Sequence, residues 1–430
     1  MSALAQARGR MQRLNLWHPG QQMGRRWAVG CVALEVTQRC NLDCTLCYLS
    51  ESSEALSDLP LEELFRRLQD VRDRYGANTD VQITGGEPTL RPLPDLVALV
   101  RRAHSLGLRP ALFTNGIRAT RPLLHALCEA GLVDVAFHVD LTQQRKGYSS
   151  ERALNALRKT YIDRVRGLPL AVYFNTTVFD GNLEQIPGVA RFFVRHADVV
   201  RLASFQLQAE TGRGVLGRRG SGLDAEAVMA RIRAGTGAPL RFDAFDIGHP
   251  RCNRYAMALV ANGRVHDLLD DAQFARRVLC ETADLAMGRT APARSLLAIA
   301  GRLLARPRLL PAALAWLARR FWRMKADLRP GRVHKLSFFV HNFMDACSLE
   351  SERIEACSFM VAAQDGPVSM CLHNAARDEH LLKPLALRGT STVRWWDPVG
   401  GGLHDTPPPV HAPLITRKNA RGRAKTALGL

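Results

Sequence analysis

The chain has 430 residues, which is too long for one small core and allows two or three domains. Its 47% apolar residues, with interspersed charges, exclude a disordered chain and are typical of a globular one. The formal net charge of +19 admits an anionic partner such as nucleic acid, anionic lipid or an acidic substrate. Only 7 of the 59 basic residues are lysine, so the arginine codons of a GC-rich genome explain the excess equally well.

The start of the chain, Met1–Gly20, has arginines but lacks the apolar core of a secretory signal. The longest uncharged apolar run, Leu309–Ala318, contains Pro311 and is shorter than the ~18 residues needed to cross a bilayer. Both features favour a cytoplasmic protein. Thiols stay reduced in that compartment, so the ten cysteines indicate packing, metal binding or redox chemistry rather than disulfides.

Six strand-like runs alternate with amphipathic segments in the first half of the chain. The predicted strands are Val32–Thr37, Val81–Thr84, Pro110–Thr114, Val133–Val139, Leu170–Val178 and Val199–Phe205. The predicted helices are Asp58–Tyr75, Leu93–Leu106, Arg121–Ala130, Ser150–Val165 and Leu183–His196. This alternation predicts an α/β fold in which helices wrap a parallel sheet. The ~180 residues are too few for an eight-stranded barrel of about 250, so we expect a partial (βα)6 TIM-like barrel with its active groups at the carboxyl ends of the strands.

The alternation of predicted strands and helices stops after Gln208, where a stretch rich in glycine and arginine follows. Two hairpin-like segments come next, with Asn262-Gly263 and Asp365-Gly366 at their turns. The predicted domains are a basic N-terminal extension (1–28), the partial barrel (29–210), a linker (211–240), a C-terminal α+β domain (241–390) and a basic tail (391–430). We expect the tail to be disordered, because it has basic but no acidic residues from Pro407 onward.

Three cysteines, Cys40, Cys44 and Cys47, form a C-x3-C-x2-C pattern directly after the first predicted strand. Three thiolates at this spacing can hold three irons of a [4Fe–4S] cluster. The fourth iron then stays open for the amino and carboxylate groups of a small ligand, as an open zinc site binds water or substrate. The alternatives are three buried thiols or a zinc knot, for which Cys31 is the only nearby fourth ligand.

A Gly-Gly-Glu-Pro turn at residues 85–88 ends the second predicted strand. With this turn and the aromatic residue after the third cysteine, the region 29–208 resembles the radical S-adenosylmethionine (radical SAM) superfamily. The resemblance implies that the cysteine cluster is catalytic, that glycines let the backbone approach the ligand, and that the region of Glu87 receives the ammonium group of S-adenosylmethionine. The implied cofactor-site residues of these two motifs are Tyr48, Gly85, Gly86, Glu87 and Pro88.

Polar residues at later strand ends are weaker candidates for the cofactor site. They are Asn115, Asp140, Asn175, Ser204 and Gln206. In the superfamily such residues contact the ribose, the methionine carboxylate or the substrate. Each can instead cap a helix or satisfy a turn. His138 is interpreted as a packed strand residue rather than a base.

Cysteines in the second half predict an auxiliary cluster. Cys357 and Cys371 bracket a hairpin whose turn brings both thiols to one end of the ladder. Cys252 and Cys347 are the best remaining ligands for a second [4Fe–4S] cluster, with Cys347 the weaker of the two, and buried apolar thiols are the alternative. Residues 340–374 and 249–252 resemble the branch that contains archaeal tetraether lipid synthases and a dihydropterin methylase. The N-terminal paired-cysteine module of those relatives is missing here, since the first cysteine is Cys31.

The sequence therefore predicts an enzyme that cleaves S-adenosylmethionine reductively to a 5′-deoxyadenosyl radical, which abstracts hydrogen from an unactivated C–H bond. The resemblance favours a lipid-like substrate and an electron donor such as a flavodoxin or ferredoxin; RNA, a pterin or a peptide is the alternative substrate. No firm nucleic-acid partner is indicated. The leucine-, arginine- and aromatic-rich segment Ser295–Leu328 predicts two short helices broken at Pro307 and Pro311, in peripheral contact with the inner membrane surface or packed on the auxiliary domain.

Overall fold

A computed structural model describes residues 1–285, 292–329, 331–388 and 393–414. The helices of these ranges are α1 Ala3–Arg13, α2 Leu61–Tyr75, α3 Leu93–Ser105, α4 Arg121–Glu129, α5 Glu151–Val165, α6 Ile186–Arg195, α7 Ala225–Thr236, α8 Ala272–Glu281, α9 Pro292–Leu304, α10 Leu310–Met324, α11 Ser351–Glu355, α12 Met370–Ala375 and α13 Arg377–Leu381. The strands are β1 Cys31–Thr37, β2 Asp80–Gly85, β3 Arg109–Thr114, β4 Asp134–His138, β5 Ala171–Val178, β6 Val200–Leu207, β7 Asn253–Ala261, β8 Arg264–Asp267, β9 Val333–His341, β10 Phe359–Ala363, β11 Gly366–Ser369, β12 Leu385–Arg388, β13 Val393–Trp396 and β14 Leu403–His404.

The chain divides into two compact units. The cysteine unit comprises Val29–Tyr148, Gln208–Arg219 and the described residues from Phe343 onward. The helix-pair unit comprises Met1–Ala28, Ser149–Leu207 and the described part of Gly220–Asn342. This division differs from the predicted domain boundaries, because each unit is built from segments that are far apart in the chain.

In the cysteine unit, β1 to β4 lie parallel in chain order, and β10 pairs parallel with β1 on its other side. β11 completes this sheet as the antiparallel partner of β10. β1 is buried along its whole length, as expected of a strand with parallel neighbours on both sides and helices over its faces. Gly131 follows the end of α4 with a φ angle of 106°, a backbone conformation that favours glycine after a helix.

In the helix-pair unit, β5 and β6 are parallel, and β9 adds a third parallel strand beside β6. β7 pairs antiparallel with β9 and forms the predicted hairpin with β8, whose turn residues Asn262 and Gly263 have φ angles of 49° and 73°. Helices α6 and α7 approach closely, since a Cβ on Gly235 would lie 2.4 Å from the carbonyl oxygen of Pro187.

The α/β class with parallel strands is confirmed, and the six predicted β/α repeats occur in order from β1 to β6. Strand limits agree with the prediction within two residues. The first predicted helix begins later than Asp58, at Leu61 after Pro60, because a proline disfavours helical backbone in the residue before it. The predicted linker 211–240 contains α7, and the predicted tail contains β13 and β14. The rest of that tail, residues 415–430, lies outside the described residues.

Two helices, α9 and α10, form the predicted pair in the segment Ser295–Leu328. The non-helical residues 305–309 separate them. Pro311 sits in the first turn of α10, where its missing N–H has no helical partner to lose. No helix among the described residues has the length and apolar character to cross a membrane.

Candidate functional site

The loop that carries Cys40, Cys44 and Cys47 follows β1 and is held by backbone bonds on two sides. Thr45 N donates to Thr142 O at 2.8 Å, and Val215 N donates to Thr45 O at 2.7 Å. Gly214 N donates to Cys47 O at 3.1 Å. The loop is therefore fixed between the chain after β4 and the chain after β6.

The three thiols of this loop share one electrostatic environment. Burial, with added repulsion from the charge of Cys47, raises the pKa of Cys40 to about 11. Burial also raises the pKa of Cys44 well above its ordinary value, with added repulsion from Cys47 and Cys40. Thiolates that repel one another in this way need a positive partner, which the irons of a cluster would supply.

Across residues 1–285, 292–329, 331–388 and 393–414, no three His, Cys, Asp or Glu side chains are grouped closely enough to hold a metal ion as they stand. The chemistry of the donor set nevertheless fits a [4Fe–4S] cluster, because three mutually repelling thiols occupy one loop. Cys40, Cys44 and Cys47 would hold it.

The two glycines of the Gly-Gly-Glu-Pro turn allow close contact between the ends of β2 and β1. A Cβ on Gly85, which has φ 118°, would lie 2.1 Å from Thr37 O. A Cβ on Gly86 would lie 2.0 Å from Arg39 O. The backbone that approaches these glycines is thus the start of the cysteine loop. The expected close approach of a ligand stays a prediction.

Glu87 is fully buried, and its carboxylate accepts four hydrogen bonds from the protein. Oε1 accepts from Thr89 N at 3.1 Å, from Thr89 Oγ1 at 2.6 Å and from Thr114 Oγ1 at 2.7 Å. Oε2 accepts from Asn115 N at 2.7 Å. In this structure the carboxylate ties the turn to the end of β3, and Pro88 begins the short helical turn that follows it.

Asn115 and Asp140 connect neighbouring strand ends to the cysteine loop. Asn115 Nδ2 donates to Asn41 Oδ1 at 2.7 Å. The buried Asp140 accepts from Thr142 N at 2.9 Å, and its other oxygen lies 2.6 Å from His138 Nε2. His138 is the last residue of β4, as expected of a strand residue, and its ring is the partner of Asp140.

Tyr48 joins the cysteine loop to the glycine turn and to the C-terminal part of the unit. Its hydroxyl donates to Gly85 O at 2.5 Å. The guanidinium carbon of Arg377 lies 4.7 Å from the centre of its ring. Arg377 also makes a buried two-point pair with Glu35, at 2.8 and 2.9 Å. Sequence reasoning missed this pair. The signal was Glu35, a carboxylate inside an apolar strand.

Arg213 is a second residue that sequence reasoning missed, and its side chain is only 3% exposed. Its backbone N donates to Leu49 O at 2.7 Å, and its Nη1 lies 3.3 Å from Glu54 Oε1. Burial opposes its charge, but the charge of Cys47 raises the pKa of Arg213. The glycines on either side, in a stretch that reads as a flexible linker, were the available signal: a Cβ on Gly212 would lie 2.4 Å from the backbone of Tyr48.

A cavity of about 450 Å³ opens beside this loop in the cysteine unit. Its lining includes Ser50, Gly212 and Gly214, and the acidic residues Glu51, Glu210, Asp378 and Glu379. Cys347 also lines it and is exposed, with its sulfur 2.9 Å from Arg218 Nη2.

The predicted site residues are divided between the two units. Asn175 and Ser204 are paired neighbours on β5 and β6, with Gln206 two residues further on, and all three belong to the helix-pair unit. Cys252 belongs to that unit as well, whereas Cys347, Cys357 and Cys371 belong to the cysteine unit.

Cys357 and Cys371 lie at the same end of the β10–β11 hairpin, as predicted. The Cys357 thiol donates to Phe359 O at 2.9 Å. Cys371 is buried and lies in α12, which follows the hairpin.

Part of the chain matches a known protein family. Residues 34–193 match the model of the Radical SAM superfamily. This part of the chain is a radical SAM domain, so the resemblance stated from its motifs is confirmed.

The chain is similar to 7,8-dihydro-6-hydroxymethylpterin dimethyltransferase of Methanocaldococcus jannaschii, with 32% identity over 187 residues, 42% of this chain and 36% of the relative. It is also similar to PqqA peptide cyclase of Xanthomonas campestris pv. campestris (strain B100), with 33% identity over 167 residues, 37% of this chain and 42% of the relative. The match thus spans well under half the length of these relatives. Among solved structures, Streptococcus suis SuiB aligns with a TM-score of 0.37 and 16% identity, over 52% of this chain and 47% of SuiB.

Proposed function

We propose that this protein is an enzyme that cleaves S-adenosylmethionine reductively and uses the resulting 5′-deoxyadenosyl radical to abstract hydrogen from a substrate C–H bond. The observation that carries the proposal is the direct link between the two motifs of the superfamily: Tyr48, after the last cysteine of the loop, donates to Gly85 of the glycine turn. The cluster and S-adenosylmethionine would supply the radical chemistry when bound. An external one-electron donor such as a flavodoxin or ferredoxin is part of this proposal.

The residues around the loop have defined tasks in this proposal. Cys40, Cys44 and Cys47 hold the cluster, and the Gly85–Pro88 turn and Asn115 hold the loop against the ends of β2 and β3. Asp140 and Thr142 fix the opposite side of the loop at Thr45. Preorganisation of this kind positions the reacting groups without cost at the moment of reaction.

The cavity beside the loop favours a polar substrate. Four acidic residues, Glu51, Glu210, Asp378 and Glu379, line it together with one arginine, Arg377. Such a lining suits a ligand rich in N–H donors. A pterin or a peptide meets this description, and the two relatives named above are a pterin dimethyltransferase and a peptide cyclase. We therefore place this class ahead of a lipid.

A lipid-like substrate stays the second candidate, because one observation favours it. Helices α9 and α10 expose large apolar side chains, which can meet a membrane surface. These side chains are Leu296, Leu297, Leu304, Leu314, Leu317, Phe321 and Trp322. The peripheral membrane location and the cytoplasmic compartment remain predictions.

The auxiliary cluster is likewise a proposal. We propose Cys357 and Cys371, at one end of the hairpin, as its main ligands, and Cys252 and Cys347 as the further ligands. Arg218 donates a hydrogen bond to the sulfur of Cys347, so Cys347 is the weakest of the four proposed ligands.

A single set of variants tests the cluster assignments. Reconstituted wild-type protein is expected to hold about eight irons, four per cube. Replacing Cys40, Cys44 and Cys47 with Ala should leave about four irons and abolish 5′-deoxyadenosine formation with dithionite under anaerobic conditions. Replacing Cys357 and Cys371 with Ala should leave about four irons in the radical SAM site. The matched control is Cys128→Ala, on helix α4.

Two outcomes would overturn these assignments separately. Formation of 5′-deoxyadenosine by the triple variant would contradict the proposed function. A wild-type count near four irons, unchanged in the Cys357/Cys371 variant, would contradict the auxiliary cluster and leave the radical SAM site in place.

A further inference from the structure

Arg213 lies in a short segment whose backbone is fastened to the cysteine loop. The segment bonds to Leu49 O, Cys47 O and Thr45 O through three consecutive amides, those of residues 213, 214 and 215, at 2.7, 3.1 and 2.7 Å. The closeness depends on Gly212 and Gly214, since a Cβ on Gly212 would lie 2.4 Å from Tyr48 C, and one on Gly214 3.1 Å from Cys47 N. The position of Arg213 is therefore set by the loop itself.

The guanidinium of Arg213 is buried with spare hydrogen-bond donors. Its Nη1 lies 3.3 Å from Glu54 Oε1, and a side-chain hydrogen bond with Cys47 helps to raise the pKa of Arg213. Nε and Nη2 are buried and make no hydrogen bond among the described residues. A buried donor without a partner costs free energy, so such a pair of donors indicates an acceptor that completes the site. The charge of Arg213 opposes the rise in the pKa of Cys40 and of Cys44, and the charge of Cys47 raises the pKa of Arg213, so the three thiols of the cysteine loop interact with this guanidinium.

We propose, on the basis of the proposed function, that Arg213 donates hydrogen bonds to the sulfurs of the cluster held by Cys40, Cys44 and Cys47 and raises the reduction potential of that cluster. One-electron reduction adds a negative charge to the cluster. A buried positive charge beside it stabilises the reduced state more than the oxidised state, and hydrogen bonds to the sulfurs act in the same direction. Glu54, which pairs with Arg213 and accepts from Cys40 N at 3.4 Å, partly offsets this effect.

The test is a reductive titration with dithionite and mediators, followed by electron paramagnetic resonance of the reduced cluster in protein that lacks Cys357 and Cys371. Arg213→Met and Arg213→Gln should each shift the reduction equilibrium at least tenfold toward the oxidised state, which is about 59 mV for one electron. Arg213→Lys should recover part of the shift because it keeps the charge. Glu54→Gln should move the potential in the opposite direction.

The control is Arg101→Met, which removes the same charge from an exposed position on α3. Its potential should equal that of the parent protein. Neutral Arg213 variants that assemble about four irons and keep the parent potential would overturn the role of Arg213. A parent protein that assembles no cluster would instead overturn the proposed function, so the two failures are distinguishable. If Arg213→Met does not fold, Arg213→Gln and Glu54→Gln decide by the sign of their shifts.

Discussion

At the scale of single residues, the local structure around Glu87 depends on a side chain that only accepts hydrogen bonds. Its carboxylate accepts four: two from Thr89, one from Thr114 and one from the backbone of Asn115. A carboxylate satisfies this arrangement because it only accepts. An amide of the same shape would turn one N–H toward a donor.

Glu87→Gln is therefore expected to lower the free energy of unfolding by about 1–3 kcal/mol, the cost of a buried polar group left without a partner. Chemical denaturation followed by tryptophan fluorescence measures this. Glu62→Gln, at an exposed position on α2, is the matched control and should change stability little. A Glu87→Gln variant as stable as the control would show that the carboxylate is not needed for the fold and would favour a direct ligand role.

Sequence reasoning located Glu87 but could not show its contacts. The motif placed it in a turn after the second strand, where the structure has it. Thr114 and Asn115 come from a different strand, and no local pattern reveals which side chains of one strand end face another. The same holds for Arg213: its role depends on a backbone contact with Cys47, which is distant in the chain.

At the scale of elements, the α9–α10 pair exposes an apolar surface while its arginines are largely paired. Arg302 pairs with Asp284 at 2.7 Å, and Arg319 pairs with Asp271 at 2.9 Å. Arg320 and Arg323 both pair with Asp270. Trp316 packs on Phe274, with ring centres 5.7 Å apart. Any membrane contact must therefore come from the exposed apolar side chains more than from free positive charge.

A flotation experiment with anionic liposomes at moderate salt tests this contact. The intact protein should bind, and a variant with Leu314→Ser, Phe321→Ser and Trp322→Ser should lose most of its binding, because these side chains are 57, 63 and 69% exposed. A variant with Val333→Ser, Leu403→Ser and Val410→Ser removes exposed apolar residues outside the pair and should bind like the intact protein. Equal binding by all three proteins, or by none, would contradict membrane contact and favour a soluble substrate.

Elements were the best-predicted level. Strand alternation and helix periodicity are local, so the six β/α repeats, the two hairpins and the break between α9 and α10 followed from the sequence. The helix α7 was missed because the glycine-rich stretch before it suggested a linker. The helical segment begins after Asp224, whose side chain caps the helix by accepting a hydrogen bond from Ala227 N.

At the scale of the whole molecule, the C-terminal part of the cysteine unit closes on its first strand. β10 pairs parallel with β1, and Arg377 reaches Glu35 across 342 positions of sequence. Burial works against the charge of Glu35, but Arg377 lowers the pKa of Glu35 to about 2. The buried Glu35 required a partner, yet nothing in the sequence could identify one so distant.

His373, in the same closure, makes stability depend on pH. Burial lowers its pKa from 6.5 to about 4; Glu35 opposes the shift, and Arg377, His380 and Arg67 add to it. Because the folded-state pKa lies below the unfolded value, the unfolded chain binds the proton more tightly. Stability is complete above pH 6.5 and is lost as pH falls toward 4. Glu35 extends the loss from about pH 4.5 to about 2, with the same sign.

His373→Phe is expected to remove the upper part of this dependence. Between pH 7 and 5 the wild-type protein should lose about 2 kcal/mol more unfolding free energy than the variant, as the two pKa values of His373 require. Denaturant titrations at both pH values measure the loss, and comparing losses rather than absolute stabilities separates the protonation effect from any repacking by Phe. His125→Phe replaces an exposed histidine on α4 and should lose as much as the wild type. An equal loss in His373→Phe would mean that His373 takes up its proton without disturbing the closure, and that other groups carry the acid sensitivity of this unit.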